Sequence, residues 1–205
     1  MGAAGQNGVV PQDLSAVPWP VRTARLCLRP ATADDADAIW QVRRRPGVDE
    51  WLSHDVGDRD SYVARLRDPD RLAVTLVIEL DGQVIGDLML QVEVWWAQGD
   101  RPRPQQGTLG WVLDPAHGGH GYATEAVAEL LRISFEDLGL RRVRAYCFVE
   151  NEPSWRLMER LGMRREEHSV RDSLHRSRGW LDGYAYALLA DEWRAAATRS
   201  AQGPA

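Results

Sequence analysis

The sequence predicts a mixed α/β domain, with a mixed sheet of about seven strands and helices on both of its faces. Three observations lead there. Strand-like and helical stretches alternate along the 205 residues in the order βααβββαβαββ, the pattern of a sheet layered with helices. Asp81-Gly82 lies between two strand-like runs and reads as a two-residue hairpin turn. Gly118, Gly119 and Gly121 stand where an apolar run gives way to a helical one, so a strand passes into a helix N-terminus through a glycine turn.

Residues 1–20 are rich in Gly, Ala, Gln and Pro, lack periodicity and read as a tail. Residues 21–30 are the first strand, with Leu26-Cys27-Leu28 set between Arg25 and Arg29. Thr32 is placed to cap a helix over 34–44. Asp34, Asp35 and Asp37 lie near its positive end, and Ala38, Ile39 and Val42 form its buried stripe. Pro46-Gly47 stops it, and Asp58 caps a second helix over 59–67. Strands follow over 72–80 and 83–96, and the polar loop 97–106, with two prolines, interrupts the sheet. The fourth strand is 108–113. A third helix follows, with Ala126, Val127, Leu130, Leu131 and Ile133 at helical spacing and Gly139 as its cap. Residues 142–149 are the fifth strand, and a fourth helix begins near Asn151. Residues 164–177 read as a long strand, 179–183 as a turn and 184–189 as the last strand. Asp191 starts a short helix. The expected organisation is one domain over 21–196, between tails at 1–20 and 197–205.

Composition narrows the function classes. No run of about 18 apolar residues occurs, so no membrane-spanning helix is expected. The first residues lack the basic and apolar regions of a secretory signal, and a cytoplasmic location is expected. A net charge of −5 argues against a general nucleic-acid surface, which needs a basic face. All 25 basic residues are arginine, so the chain has no lysine of its own to be acylated. Cys27 and Cys147 lie in separate strand-like runs and read as small buried hydrophobes in a reducing compartment. His117 and His120 are spaced i, i+3, but no third ligand accompanies them, so no metal is expected.

Taken alone, the glycine turn allows two readings. It is a tight strand–helix connection, or it is an anion site in which unpartnered backbone N–H groups and the positive helix end meet a phosphate. No Gly-Lys-Ser/Thr follows, and the Gly-x-Gly-x-x-Gly order is absent, so neither common nucleotide loop applies. The wider pattern is more specific. A strand ending in Leu113-Asp114-Pro115 is followed by Gly119-His-Gly-Tyr-Ala-Thr-Glu-Ala126. About thirty residues later come Asn151-Glu-Pro-Ser154 and Leu161-Gly162-Met163. Together these resemble the two halves of the coenzyme A signature of the GNAT superfamily of N-acetyltransferases. The subgroup most similar is that of the ribosomal-protein N-terminal acetyltransferases, and the resemblance covers roughly residues 23–194.

The resemblance implies a mostly antiparallel GNAT-like sheet in which strands four and five splay apart. It implies acetyl-CoA as acyl donor, no metal, and a primary amine as acceptor: a protein N-terminus or a small molecule. A homodimer is a further expectation. The backbone of Gly118, Gly119, His120, Gly121, Tyr122, Ala123 and Thr124 would cradle the pyrophosphate. Trp111, Val112 and Leu113 would pair with the pantetheine arm, with a backbone N–H near Leu113 serving the oxyanion. Gly118 replaces a glutamine or arginine common in the family, so a side-chain contribution is lost there. Asn151 and Ser154 suit helix capping by themselves. The resemblance adds a place on the cofactor arm for Asn151 and one near the sulfur for Ser154. Many family members carry a tyrosine acid where this chain has Met158, so Ser154 is the expected proton donor. A glutamate common on strand four is Thr108 here. Glu93 is the substitute base, with Asp87, His54 and Asp172 as alternatives. Trp51, His54, Trp180 and Tyr184 would border the acceptor, and Trp51, Trp180 and Tyr184 suit a core as well. Trp95-Trp96 suits a substrate tunnel, a sheet edge or a dimer contact. Two other classes remain open: a non-catalytic acyl-CoA-binding or sensor protein, and a structural partner that binds no coenzyme.

Overall fold

The computed structural model describes residue 14 and residues 16–94 and 106–201, without the side chains of 197, 200 and 201. Its strands are β1 (Val21–Arg22), β2 (Cys27–Pro30), β3 (Thr75–Leu80), β4 (Gln83–Glu93), β5 (Gln106–Leu113), β6 (Arg142–Phe148), β7 (Arg164–His175) and β8 (Gly179–Leu189). Its helices are α1 (Ala36–Arg43), α2 (Arg59–Leu66), α3 (Pro69–Leu72), α4 (Tyr122–Arg132), α5 (Glu152–Arg160) and α6 (Ala190–Ala201). The described residues form two compact units. The first draws on Gln12–Leu90 and Leu109–Ile133, the second on Gln91–Thr108 and Ser134–Ala205.

In the first unit the strand order is β1-β2-β3-β4-β5, and β1–β2, β2–β3 and β3–β4 are antiparallel. The expected first strand is two strands. Thr23 folds the chain between them, its N–H reaching Leu26 O at 2.9 Å and its Oγ1 accepting from Leu26 N at 3.0 Å. Asp81 and Gly82 both have positive φ, 50° and 80°, the primed turn that matches the right-handed twist of a hairpin. Leu76, Val77 and Ile78 are all buried, so both faces of β3 are covered. Val77 joins Ala36, Ile39, Tyr62, Val63 and Leu66 in one core cluster beneath α1 and α2. Gly86 admits the closest backbone approach in this unit: a Cβ there would stand 2.3 Å from Val112 O on β5.

Local chemistry accounts for the helix starts. Asp58 Oδ1 accepts from Ser61 N at 3.0 Å, the expected cap of α2. Thr32 is an N-cap, as expected, in a capping box shared with Asp35, but the element it caps is a short 3₁₀ turn and not α1 itself. The Asp35 carboxylate reaches back to Thr32 N at 2.7 Å and Thr32 Oγ1 at 2.9 Å, and that turn, Ala33–Asp35, precedes α1. The expected strand over 72–80 begins only at Thr75. Asp68 accepts from Asp70 N, and Pro69 supplies the first residue of α3, a pairing that favours a helix start.

In the second unit the order is β5-β6-β8-β7, with β5 and β6 parallel and the others antiparallel. The β5–β6 ladder consists of Gln106↔Arg142, Gly107↔Val143 and Thr108↔Arg144. Trp155 Nε1 donates to Val149 O at 3.0 Å, and Tyr186 Oη donates to Glu159 Oε1 at 2.8 Å. These bonds set the rotation of α5, whose Leu157 and Met158 are buried. The β7–β8 turn falls at 176–178, not at 179–183. Gly183 lies inside β8, opposite Phe148 and Ser169, where a Cβ would come within 2.9 Å of Ser173 Oγ. It marks a close contact and not a bend. Trp95, Trp96 and most of the expected loop 97–106 lie outside the described residues.

Candidate active site

In the first unit, β5 leads into the glycine segment. Asp114 holds its start: Asp114 N donates to Ile85 O at 2.8 Å, Oδ1 accepts from Ala116 N at 3.0 Å, and Oδ2 pairs with Arg45 at 3.0 Å. A 3₁₀ turn over Pro115–His117 follows. Gly119 and Gly121 then take φ of 76° and 81°, a region that side chains with a Cβ avoid. Gly121 is the N-cap of α4 and, as a glycine, offers no side chain to cap it. The N–H groups there have no partner within the helix and carry the positive end of its dipole. Space, backbone donors and field all suit a phosphate. Trp111, Val112 and Leu113 are the closing residues of β5, just before this turn.

The same unit holds Trp51 in a one-turn 3₁₀ segment and His54, half-buried after it. Burial, and then the positive charges of Arg43, Arg65 and Arg71, hold the His54 imidazole below the usual histidine range. It is therefore neutral at pH 7. Asp87, an alternative base, is only 1% exposed. Arg43 Nε donates to its Oδ1 at 2.9 Å, and the Arg43 terminal amine pairs with Oδ2. Both carboxylate oxygens are engaged by one guanidinium, which makes Asp87 a structural anchor between α1 and β4.

In the second unit, Ser154 lies in the first turn of α5, and its hydroxyl is hydrogen-bonded to the Cys147 thiol on β6. Burial pushes that thiol up to about 11, with the Ser154 bond acting in the opposite direction. Cys27 and Cys147 are free thiols, each partly exposed and not fully buried as expected. Asn151 is the N-cap residue of α5 without a side-chain cap bond; its carbonyl accepts from Ser154 N at 3.1 Å. Met158 is 0% exposed, a core residue.

Thr108 and Glu93 meet through Arg144. Arg144 Nε donates to Thr108 Oγ1 at 3.3 Å, and its terminal amine pairs with Glu93 Oε2 at 3.0 Å. The substitute carboxylate thus lies one guanidinium away from the position it replaces. Tyr184 is half-buried among His168, Trp155 and Tyr186, with the Arg165 guanidinium 4.6 Å from its ring centre. Trp180 is 58% exposed and lines an open concavity with Arg171. Among the described residues no group of three or more His, Cys, Asp or Glu side chains could hold a metal ion. Sequence reading missed Arg25 and Glu125, which are bonded to each other beside the glycine loop. They stand 100 residues apart, and no local pattern pairs them.

A family model described as an acetyltransferase (GNAT) domain matches residues 25–164. Over 85 residues the chain is 40% identical to the uncharacterized N-acetyltransferase YnaD of Bacillus subtilis, covering 42% of this chain and 49% of YnaD. The chain thus spans about half the length of that relative. The fold is similar to that of a GNAT-family acetyltransferase of Bacillus anthracis, with a TM-score of 0.72 and 26% identity over 84% of this chain and 99% of that one. It is also similar to RimJ of Mycobacterium smegmatis, solved in complex with CoA-disulfide, with a TM-score of 0.64 and 26% identity over 85% and 90%.

Proposed function

Because the chain belongs to the GNAT acetyltransferase family, we propose that it moves an acetyl group from acetyl-CoA to a primary amine, either a protein N-terminus or a small amine of low pKa. One observation carries the donor half of this reading: the glycine turn into α4, with Gly119 and Gly121 at positive φ and a glycine, which offers no capping side chain, at the helix N-cap. These residues fit a pyrophosphate, since a Cβ is absent where the backbone must come close.

When bound, acetyl-CoA supplies the acetyl group as a thioester. Gly118 to Thr124 are assigned to the pyrophosphate and the backbone of Trp111 to Leu113 to the pantetheine arm. Asn151 is assigned to the same arm. Glu93, oriented by Arg144, is the carboxylate assigned to take up the amine proton, and Ser154 Oγ is the proton donor at the sulfur. Trp51, His54, Trp180 and Tyr184 are assigned to the acceptor side. The family likeness, not the arrangement of the two units, links the glycine turn to Ser154 and Glu93.

Ser154→Ala is expected to lower kcat by about 100-fold or more, from the lower end of the usual range for one positioned proton-transfer group upwards, while the affinity for coenzyme A changes little. The check is steady-state kinetics beside calorimetric binding. An intact kcat with a lowered melting temperature would make Ser154 a plain partner of Cys147.

The acceptor follows from the base. Thr108 cannot take a proton near neutral pH, and Glu93 stands back behind Arg144. At pH 7 an α-amine is neutral in roughly one molecule in ten, a lysine ε-amine in about one in 2,500. The handicap of lysine is about 250-fold, or about 3 kcal/mol. Two matched peptides, one with only a free N-terminus and one blocked there with a single lysine, separate the cases. The N-terminal peptide is expected to react faster at pH 7, and the gap to narrow towards pH 9. Faster reaction of the lysine peptide at pH 7 would refute the acceptor assignment. Absence of turnover with any amine, alongside tight coenzyme A binding, would favour a non-catalytic binding protein.

A further inference from the structure

Outside the residues already assigned, a dense polar constellation in the first unit lies where the β1–β2 turn meets the start of α4. Four donors converge on the Glu125 carboxylate. Thr23 Oγ1 donates to Oε1 at 2.5 Å, Arg25 N to Oε1 at 2.9 Å, Arg25 Nε to Oε2 at 2.7 Å, and a terminal amine of Arg25 stands 2.7 Å from Oε2. Burial pushes the Glu125 carboxyl up, but these hydrogen bonds outweigh it and hold the group below the usual carboxylate range. The remaining terminal amine of Arg25 donates to His120 O at 2.9 Å, inside the glycine turn. Its guanidinium also lies 4.5 Å from the centre of the Tyr122 ring.

An acid in the first turn of a helix is favourable on its own, and an arginine beside it is commonly a surface ion pair worth little. The bond to His120 O sets this pair apart. The only cis peptide among the described residues is Trp19-Pro20, so the His120–Gly121 peptide is trans. In a trans peptide the carbonyl and the following N–H point in opposite directions. Holding His120 O towards Arg25 therefore aims the Gly121 N–H away from Arg25. Gly121 has a positive φ and no Cβ, so no side chain of its own restrains that peptide plane. Charge gives a second reason. A carboxylate in the first turn of α4 opposes an anion at the same helix end, and Arg25 cancels it.

We propose that Arg25 is a positioning residue for the phosphate portion of the donor: it orients the His120–Gly121 peptide and neutralises Glu125, so that the glycine turn presents donors without a competing negative charge. This rests on the glycine turn being the coenzyme A site. Arg25 acts through the loop and through Glu125.

The test is calorimetric binding of free coenzyme A to the full chain and three variants, with melting temperatures measured in parallel. Arg25→Ala is expected to weaken binding at least tenfold. Arg25→Lys keeps the charge but cannot serve Glu125 and His120 O together, and is expected to weaken binding several-fold. It carries the test if Arg25→Ala does not fold. The decisive variant is Arg25→Ala combined with Glu125→Gln. If the cluster were only a structural clamp, losing the carboxylate as well would weaken binding further. Removal of an opposing charge instead restores part of the affinity, and that recovery is the expected result. Binding by Arg25→Ala or Arg25→Lys within twofold of the parent would overturn the proposal, as would a double variant weaker than Arg25→Ala. Failure of the parent chain to bind coenzyme A would overturn the placement of the donor instead.

Discussion

Asp87→Ala is expected to lower the stability of the protein by about 3–5 kcal/mol, the usual loss when one partner of a buried ion pair is removed. Asp87 is 1% exposed, and both its oxygens accept from Arg43. Burial alone would lower the Arg43 pKa. The charge of Asp87 and its hydrogen bonds reverse that and leave it raised; without Asp87 the arginine still stays charged, because its intrinsic pKa lies so far above neutrality. The variant would leave a guanidinium in the core between α1 and β4 without a counter-ion. Urea denaturation reads the loss. The companion variant, Arg43→Met with Asp87→Leu, replaces the pair by apolar groups and is expected to recover most of it. A loss below about 1 kcal/mol in Asp87→Ala would mean that water reaches the pair and that its burial is less complete than the geometry indicates.

The second large effect is on the donor. Gly121→Val is expected to weaken coenzyme A binding by about 100-fold or more, equivalent to about 2.7 kcal/mol. Two causes act together. A β-branched residue at φ 81° is strained by about 1–3 kcal/mol, so the turn relaxes away from its present path. The new Cβ would also stand 3.5 Å from an Arg25 terminal nitrogen, and the added methyl groups crowd the guanidinium that holds His120 O. Calorimetry with coenzyme A reads the affinity, and a melting curve separates local strain from unfolding. Unchanged affinity would remove this turn from phosphate binding and with it the main support for the proposed function.

Much of the site is legible along the chain because its signals are short-range. The glycine turn is visible because positive φ selects glycine and a helical period begins at once after it. The hairpin at Asp81-Gly82 is visible for the same reason. Asp68-Pro69 carried a readable helix start, hidden by the apolar residues just after it, which also suit a strand. The turn placed at 179–183 shows the opposite error. Gly183 looks like a bend in sequence, yet it leaves room for Ser173 Oγ within a ladder.

The sequence by itself determined the order of elements, the strand–glycine–helix turn and the likeness to the acetyltransferase family. Each of these depends on residues within a few positions of one another, on period, backbone dihedral and capping. Tertiary structure alone decided the partners. Arg43 finds Asp87, Arg25 finds Glu125, Arg144 spans Thr108 and Glu93, and Ser154 meets Cys147. Those pairings follow from strand register and from the rotation of each helix against the sheet. A one-residue slip in a strand would turn every side chain to the other face. Whether a carboxylate is a base, an anchor or a counter-charge is set by which cation that register brings to it.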